Sequence, residues 1–316
     1  MKKRIIVLAI VSGLLLTIGF LGRGKKDSLS LPDMGGVYSV SLDNLDFSTE
    51  ITGMLNDGVI NEIPYEEYED VFAQVQPVNG YNNKVLRWGI ARRGFGKTPD
   101  ADPGAPELLA KYGGVYLGDT SKNIIYLTFD EGYENGYTSK ILDVLRDNNV
   151  KAIFFITGPY LKEHQDLVRR MVEDGHVVGN HTIHHPSLPS VGDRELEEEI
   201  LGLDRAFYEK FGTNMKFLRP PKGEYSERTL AITQKLGYTN LFWSFAYDDW
   251  HRDKVRGPEY AYKKVMDNLH NGAVLLLHAV SKDNADALDM IIKGAREKGF
   301  EFGDPNDLQH SNQQKS

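Results

Sequence analysis

An apolar run that ends abruptly at two adjacent carboxylates most constrains what this chain can fold into. Residues 124–129 read Ile-Ile-Tyr-Leu-Thr-Phe, a β-branched and aromatic run of strand length, and Asp130, Glu131 and Gly132 follow at once. Such a run is typical of a buried strand. Two acids at the carboxyl end of a strand lie where α/β proteins place a cleft or a metal, and like charges so close need a cation or a shared proton. An acidic turn facing solvent is the alternative for this stretch alone.

Beyond this run, segments of strand length alternate with segments of helical periodicity, which predicts a parallel α/β domain. The predicted strands cover 124–129, 152–157, 176–179, 216–218, 240–245, 273–277 and 300–302. The predicted helices cover 138–148, 165–173, 194–210, 226–236, 260–269 and 284–298. Glycines follow four of these helices as stop signals, namely Gly175, Gly212, Gly237 and Gly299.

Polar residues directly follow five of the predicted strands. In a barrel all strands deliver their carboxyl ends to one mouth, whereas an open sheet favours its switch point. We therefore expect a barrel with its site at that mouth. The residues concerned are Asp130 and Glu131, Asn180 and His181, Arg219, Asp248 and Asp249, and His278.

Composition divides the chain into three expected parts. Lys2, Lys3 and Arg4 precede an apolar run at 5–21 without a clear cleavage site, so residues 1–24 are predicted to be an export signal or membrane anchor rather than a core helix. Residues 25–85 read as an acidic extension or tether, and 86–310 as the folded α/β domain. The net charge of -8 argues against a nucleic-acid partner. The absence of cysteine excludes a disulfide framework and a catalytic thiol.

Two histidines predict a metal site. His181 and His185 are four residues apart in Gly-Asn-His-Thr-Ile-His-His-Pro (179–186), a spacing that puts both imidazoles on one side of a helical turn. With Glu131 they would supply two nitrogens and one oxygen and leave a position open for water, as in catalytic zinc sites. His184 is an alternative to His185, and the pair alone is equally typical of surface or core histidines. The pattern predicts a divalent cation, with Zn²⁺ as the first candidate.

Four further residues have the chemistry of a hydrolase. Asp130 points to the other side of the strand from Glu131 and would take the proton of an attacking water. Arg219 would hold that carboxylate ionised, with a structural salt bridge as the alternative. His278 would donate a proton to a leaving amine, with Asp249 fixing its tautomer. Taken alone, His278 is better read as a hydrogen-bonded core histidine.

Five segments in this order carry a family resemblance. They are Thr-Phe-Asp-Glu-Gly (128–132), His-Thr-Ile-His-His (181–185), Arg-Pro-Pro-Lys-Gly (219–223), Asp-Trp (249–250) and Leu-Leu-His (276–278). Together they resemble the five motifs of the polysaccharide deacetylases, also called NodB-homology proteins or family 4 carbohydrate esterases, over residues 86–308.

The resemblance implies a distorted (β/α)7 barrel and a role for each motif residue. Asp130 would be the base, His181 and His185 would hold the metal, and His278 would be the acid. The backbone N–H of Tyr133 would stabilise an oxyanion, and the motif residue Trp250 would lie with the substrate. Segments 129–138 and 277–289 resemble the PdaA-type branch, whose members deacetylate N-acetylmuramic acid on the way to the muramic δ-lactam of spore cortex peptidoglycan.

The chain departs from the family pattern at two positions. The usual pair at the first motif is Asp-Asp, and the extra methylene of Glu131 shifts its carboxylate by about 1.5 Å, which puts the third ligand in doubt. Lys222 stands where many relatives carry an aromatic residue. Our hypothesis is that Lys222 meets the lactyl carboxylate of a muramyl residue, and a solvated lysine is the alternative.

We therefore predict an exported, wall-facing, metal-dependent enzyme that removes acetyl from N-acetylmuramic acid. Its partner would be a peptidoglycan glycan strand on the cortex side, after an amidase has removed the peptide, and only the N-terminal segment would touch a membrane. One alternative is deacetylation of N-acetylglucosamine in peptidoglycan or another glycan. Another is a wall-binding module without catalytic activity.

Overall fold

The structure, a computed structural model, describes residues 7–11, 14–18 and 80–310. Near the N-terminus Val7–Val11 (β1) and Leu14–Ile18 (β2) pair as an antiparallel two-stranded sheet. The remainder of the expected signal or anchor, and the expected extension as far as residue 79, lie outside the described residues. Within the described ranges, no helix combines the length and hydropathy needed to cross a membrane.

The domain contains a central parallel sheet and two small antiparallel pairs. Its buried strands read as continuous apolar runs because both of their faces are covered. The strands are β3 (Leu86–Arg87), β4 (Ile90–Ala91), β5 (Asp100–Ala101), β6 (Ile124–Glu131), β7 (Ala152–Ile156), β8 (Val177–Asn180), β9 (Phe217–Leu218), β10 (Glu224–Tyr225), β11 (Thr239–Asn240), β12 (Val274–His278) and β13 (Glu301–Phe302).

The parallel sheet has the order β11-β9-β8-β7-β6-β12, and β13 also pairs with β6. The segment after β11 reaches the opposite edge of the sheet, because Phe245 forms a parallel bridge with Leu275 of β12. The N–H of Leu276 donates to the carbonyl of Phe245 at 2.8 Å. The sheet therefore curls into the distorted barrel that the motif positions predicted.

The predicted strand at 240–245 is broken, and this is a correction. Val115 inserts beside it: the N–H of Val115 donates to the carbonyl of Asn240 and the N–H of Phe242 donates to the carbonyl of Val115, both at 2.8 Å. A segment from before β6 thus takes hydrogen bonds that a neighbouring parallel strand would otherwise take. Regular pairing of β11 with β9 stops after Asn240, because β9 itself ends at Leu218.

Helices cover the outside of the barrel, and local sequence explains their ends. The Ser226 side chain accepts from the Thr229 N–H in a capping box at the start of α6. Gly212 ends α5 with φ 67°, a left-handed conformation that glycine adopts at low cost. The helices are α1 (Ala105–Lys111), α2 (Thr138–Asp147), α3 (Gly158–Glu163), α4 (Gln165–Glu173), α5 (Asp193–Phe211), α6 (Glu227–Lys235), α7 (Pro258–Met266), α8 (Lys282–Glu297) and α9 (Asp307–His310).

The last residues of the expected extension pack on the domain. Asn83 donates to the carbonyl of Pro189 at 2.9 Å and accepts from the Ser226 hydroxyl at 2.8 Å. The backbone carbonyl of Asn82 accepts from the N–H of Arg228. The packed unit therefore begins before residue 86.

Candidate active site

A cavity of about 700 Å³ opens at the carboxyl ends of the barrel strands. It gathers seven of the ten predicted site residues, including the expected base and acid. The other three, Glu131, Arg219 and Asp249, do not line it. The predicted residues that line the cavity are Asp130, Tyr133, His181, His185, Lys222, Trp250 and His278.

Asp130 is held in place from behind by Arg219. Oδ1 of Asp130 accepts from Nη1 of Arg219 at 2.7 Å, and Oδ2 lies 3.6 Å from Nε2 of His181. The guanidinium is fully buried, stands 4.1 Å from the centre of the Phe155 ring, and donates through Nε to the carbonyl of Leu241. It acts on Asp130 and cannot reach substrate.

The charge state of Asp130 suits a base. Burial acts to raise its pKa, but the charges of Arg219, His181 and His278 outweigh burial and lower the pKa below its usual value. Asp130 is therefore ionised at neutral pH, and its second oxygen faces the cavity.

His181 and His185 meet, although not through the predicted helical turn. The segment is an irregular loop in which Thr182 and His185 adopt φ 68° and φ 57°. The two ring centres are nevertheless 4.7 Å apart. The helical-turn prediction is wrong because the loop is fixed by hydrogen bonds that a helix does not make. The N–H of Thr182 donates to Oδ1 of Asn180, and the N–H of His185 donates to Oγ1 of Thr182.

The two rings have the protonation of metal ligands. Nδ1 of His181 lies 2.8 Å from the carbonyl of Arg219, so this nitrogen carries the proton and Nε2 presents a lone pair. Burial is the main cause that lowers the pKa of both rings, and that of His185 falls to about 4. Both rings are therefore neutral at pH 7, which is the form that binds cations.

Glu199 helps to hold the loop that carries the histidines, a role that the sequence analysis did not predict. It is buried on α5, where one oxygen accepts from the N–H of His184 at 2.7 Å and the other lies 2.6 Å from Nδ1 of that ring. His184 therefore faces α5 rather than joining a ligand pair, and it anchors the histidine loop. A carboxylate on the buried side of an amphipathic helix was the available signal.

The loop also packs tightly on the start of α3. The N–H of Gly158 donates to the carbonyls of Thr182 and Ile183 at 3.2 and 3.1 Å. A Cβ at this position would lie 2.9 Å from Cγ2 and 3.0 Å from the carbonyl oxygen of Ile183. Only glycine allows this approach.

We expect Gly158→Ala to destabilise the fold by about 1–3 kcal/mol, because backbone atoms of the histidine loop must shift to admit the methyl group. Urea unfolding of the two proteins measures this. Gly192→Ala is the matched control, since a Cβ there has no atom within 4 Å. Equal loss in both variants would show that the contact at Gly158 has no special role.

Glu131 corrects the sequence analysis. Because β6 continues through it, its side chain lies on the face opposite Asp130, beside Glu134, Thr138 and Tyr160. It is completely buried, and neither carboxylate oxygen has a hydrogen-bond partner in the described part of the chain. Burial, together with the charges of Glu134 and Asp130, raises its pKa well above its usual value. The prediction that Glu131 ligates a metal with the two histidines is therefore wrong for this conformation.

The donor set fits a cation only in part. The two neutral imidazoles suit a divalent ion, but the third ligand is turned away. Among residues 80–310 no group of three or more His, Cys, Asp or Glu side chains is arranged to hold a metal. The expected three-ligand site is not assembled.

His278 lies across the cavity and is paired with Asp249. Its Nδ1 lies 2.7 Å from Oδ1 of Asp249, and its backbone N–H donates to Oδ2 at 2.9 Å. Burial acts to lower the pKa of His278, but the charge of Asp249 and its hydrogen bond to the ring outweigh burial. The net effect is that the pKa of His278 is raised above its usual value. The contact fixes the proton on Nδ1 and, in the imidazolium form, leaves Nε2–H as the donor toward the cavity.

The rim of the cavity carries aromatic rings and a cation. Tyr133 and Trp250 are 43% and 48% exposed. The Tyr133 hydroxyl donates to the carbonyl of Trp250 at 3.3 Å, and the Arg252 guanidinium lies 4.8 Å from the Tyr133 ring centre. Lys222 lies in the Pro221–Gly223 turn at the cavity wall. Its φ of 61° is a strained backbone conformation for lysine.

Comparison with known proteins gives one family and a consistent set of relatives. The family described as polysaccharide deacetylase matches residues 117–241. Peptidoglycan-N-acetylmuramic acid deacetylase PdaA from Bacillus subtilis is 41% identical over 227 residues, which is 72% of this chain and 86% of that protein. A peptidoglycan-N-acetylglucosamine deacetylase from Bacillus cereus is 34% identical over 196 residues, 61% of this chain and 70% of that protein.

The fold comparison agrees with the sequence comparison. The solved structure of Bacillus subtilis PdaA, described as a family 4 carbohydrate esterase, superposes with a TM-score of 0.70 at 41% identity. It covers 72% of this chain and 97% of that chain.

Proposed function

This chain belongs to the polysaccharide deacetylase family, and from that premise we propose that it hydrolyses the N-acetyl group of N-acetylmuramic acid in peptidoglycan. The observation that carries the chemistry is the placement of Asp130 and His278 on one cavity, each oriented by a buried partner of opposite charge. Support for the muramyl substrate comes from the relative of that name, which is more similar over more of the chain than the N-acetylglucosamine deacetylase.

The reaction balances with these two groups. Oδ2 of Asp130 takes a proton from water as the water oxygen bonds to the acetyl carbonyl carbon. The backbone N–H of Tyr133 is proposed to stabilise the negative oxygen that forms. Nε2–H of His278 protonates the amine nitrogen as the carbon–nitrogen bond breaks. Acetate and a free amine result, and attack of that amine on the lactyl carboxyl of the same residue would give the δ-lactam with loss of water.

His181 and His185 are the residues that we propose to hold a divalent cation, with Zn²⁺ as the first candidate. When bound, such an ion would polarise a carbonyl and lower the pKa of water. The proton transfers assigned to Asp130 and His278 are derived from the positions of those two side chains alone, without the cation.

Lys222 is proposed to select the muramyl residue through its lactyl carboxylate. It lines the cavity, and its positive charge acts there on His185. A free lactyl carboxylate distinguishes a peptide-stripped muramyl residue from N-acetylglucosamine, so an amidase would have to act first.

We expect Lys222→Ala to lower kcat/KM for peptide-stripped muramyl glycan about tenfold and to change that for N-acetylglucosamine oligomers less than twofold. One exposed charge pair is worth about 1 kcal/mol, and partial enclosure in the cavity raises this value. Lys162→Ala, a lysine in α3 that does not line the cavity, is the control. If Lys222→Ala lowered kcat/KM equally for both substrates, the proposed contact between Lys222 and the lactyl carboxylate would be refuted.

The rival within the family is deacetylation of N-acetylglucosamine, the activity for which the Bacillus cereus relative is named. Product analysis separates the two. Acetate together with lactam from peptide-stripped glycan supports the muramyl proposal, and free amines on glucosamine residues support the rival.

Location and chain organisation follow as proposals. A peptidoglycan substrate requires action outside the cytoplasm, in the wall or at the cortex. Residues 1–24 are proposed to direct export or to anchor the enzyme in the membrane. Residues 25–85 are proposed to tether that segment to the domain at 86–310, which is proposed to carry the activity.

We expect acetate release to be greatest between about pH 4 and pH 6.5 and to fall at higher pH. Asp130 must be ionised, and its pKa is lowered below the usual value near 3.9. His278 must be protonated, and its pKa is raised above the usual value near 6.5, so activity is lost as pH rises through that raised value. A profile that rises from pH 6 to pH 9 would contradict these roles.

A further inference from the structure

Asp249, the partner of His278, is itself held by a side chain that the reaction above does not use. Nδ2 of Asn284 donates to Oδ2 of Asp249 at 2.6 Å and to the backbone carbonyl of His278 at 3.1 Å. Asn284 is 1% exposed and does not line the cavity. It therefore acts on both members of the pair from behind.

The orientation of the Asn284 amide is forced by its surroundings. An ionised carboxylate and a carbonyl only accept hydrogen bonds, so the NH₂ group must face Asp249 and His278. On the other side, the buried Tyr247 hydroxyl donates to Oδ1 of Asn284. A flipped amide would place its oxygen against two acceptors and leave the Tyr247 hydroxyl facing a donor.

The backbone fixes where this amide stands. Asn284 lies in the first turn of α8, and its N–H donates to Oγ of Ser281, the residue that caps the helix. Ser281 follows β12 by only three positions, so the helix that carries Asn284 begins directly behind the strand that ends at His278.

We propose that Asn284 and Tyr247 are positioning residues that hold Asp249, and through it the His278 imidazole, in the orientation that presents Nε2–H to the substrate. The role in catalysis rests on the proposed function, whereas the effect on the imidazole does not. Groups whose charge acts on this imidazole are Asp249, Asp130 and Arg219. Of these, Asn284 contacts Asp249.

The first test is Asn284→Ala, measured by kinetics and by NMR titration of the His278 imidazole. We expect kcat for acetate release to fall about 10- to 100-fold, a typical loss for a residue that orients an active group, with KM within twofold. The pKa of His278 should move down toward 6.5, because a loosened Asp249 stabilises the imidazolium less. Asn240→Ala is the matched control: it removes a buried asparagine that bonds Thr233 away from the site, and it should leave both readouts unchanged.

Tyr247→Phe is the second variant, because removal of one oxygen leaves packing intact. We expect kcat to fall several-fold and the His278 titration to move in the same direction by less. Unchanged kcat and an unchanged His278 titration in Tyr247→Phe and in folded Asn284→Ala would overturn the proposal. The NMR titration needs no substrate, so a wild-type protein inactive on muramyl glycan would defeat the proposed function and leave this inference to be decided by the titration alone.

Discussion

Asp130→Asn is expected to lower kcat/KM for acetate release about 10³-fold, a loss of about 4 kcal/mol of transition-state stabilisation. The substitution keeps the shape of the side chain but removes two things, the ability to take a proton and the negative charge that pairs with buried Arg219. Its amide can still contact Arg219, so the fold should persist. Acetate release from peptide-stripped glycan, with near-ultraviolet circular dichroism as the check on folding, measures the effect.

The neighbouring residue supplies a matched control. Glu131→Gln removes a carboxyl group one position away that is buried outside the cavity and favours its neutral form. Activity within about threefold of wild type is expected. If Glu131→Gln were as damaging as Asp130→Asn, the side chain would have to turn into the cavity during function, and the placement described above would be refuted.

Arg219→Met is expected to destabilise the protein by about 3–5 kcal/mol and to reduce activity strongly near pH 5. Breaking a buried ion pair leaves an uncompensated charge, here the Asp130 carboxylate. In the double variant Arg219→Met with Asp130→Asn, no charge is left, so the loss should be smaller than the sum of the two single losses. Urea unfolding of the four proteins measures this coupling, and strict additivity would contradict it.

The pH dependence of Arg219→Met has a definite sign. Without the guanidinium, burial raises the folded-state pKa of Asp130 above its unfolded value. The variant should therefore be least destabilised near pH 4, where the carboxyl is neutral, and progressively more destabilised as pH rises. The acid limb of its activity profile should move upward for the same reason.

Most of the fold was accessible from the sequence because strand-length apolar runs, helical periodicity and stop glycines agreed with one another. The helix predicted at 165–173 matches α4, and the glycines predicted to end four helices all have positive φ. The barrel followed from polar residues after strand ends. The insertion of Val115 beside residues 240–242 could not be predicted, because no local pattern links Val115 to that strand.

The position of a site residue could be predicted where the residue type and its place after a strand were enough. It could not be predicted where the local backbone conformation decides which way the side chain points. Asp130, His181 and His278 line one cavity, and their roles there stay predictions. The loop that brings His185 to His181 is irregular, so its spacing suggested the wrong local structure. Glu131 and Asp130 were expected on opposite sides of the strand and yet in one site, but β6 continues through Glu131 and the Glu131 side chain does not line the cavity. Asn284 acts through side-chain and backbone contacts across the fold, for which the sequence offers no pattern. For Glu199 the sequence offered one signal, a carboxylate on the buried side of an amphipathic helix.

The most direct measurement of the central claim is mass spectrometry of peptide-stripped peptidoglycan glycan after treatment with the protein loaded with divalent cation and with its Asp130→Asn variant. The account predicts that the active protein removes one acetyl group per processed muramyl residue, with later loss of water as lactam forms, and that Asp130→Asn leaves the glycan unchanged. Undiminished deacetylation by Asp130→Asn would contradict it.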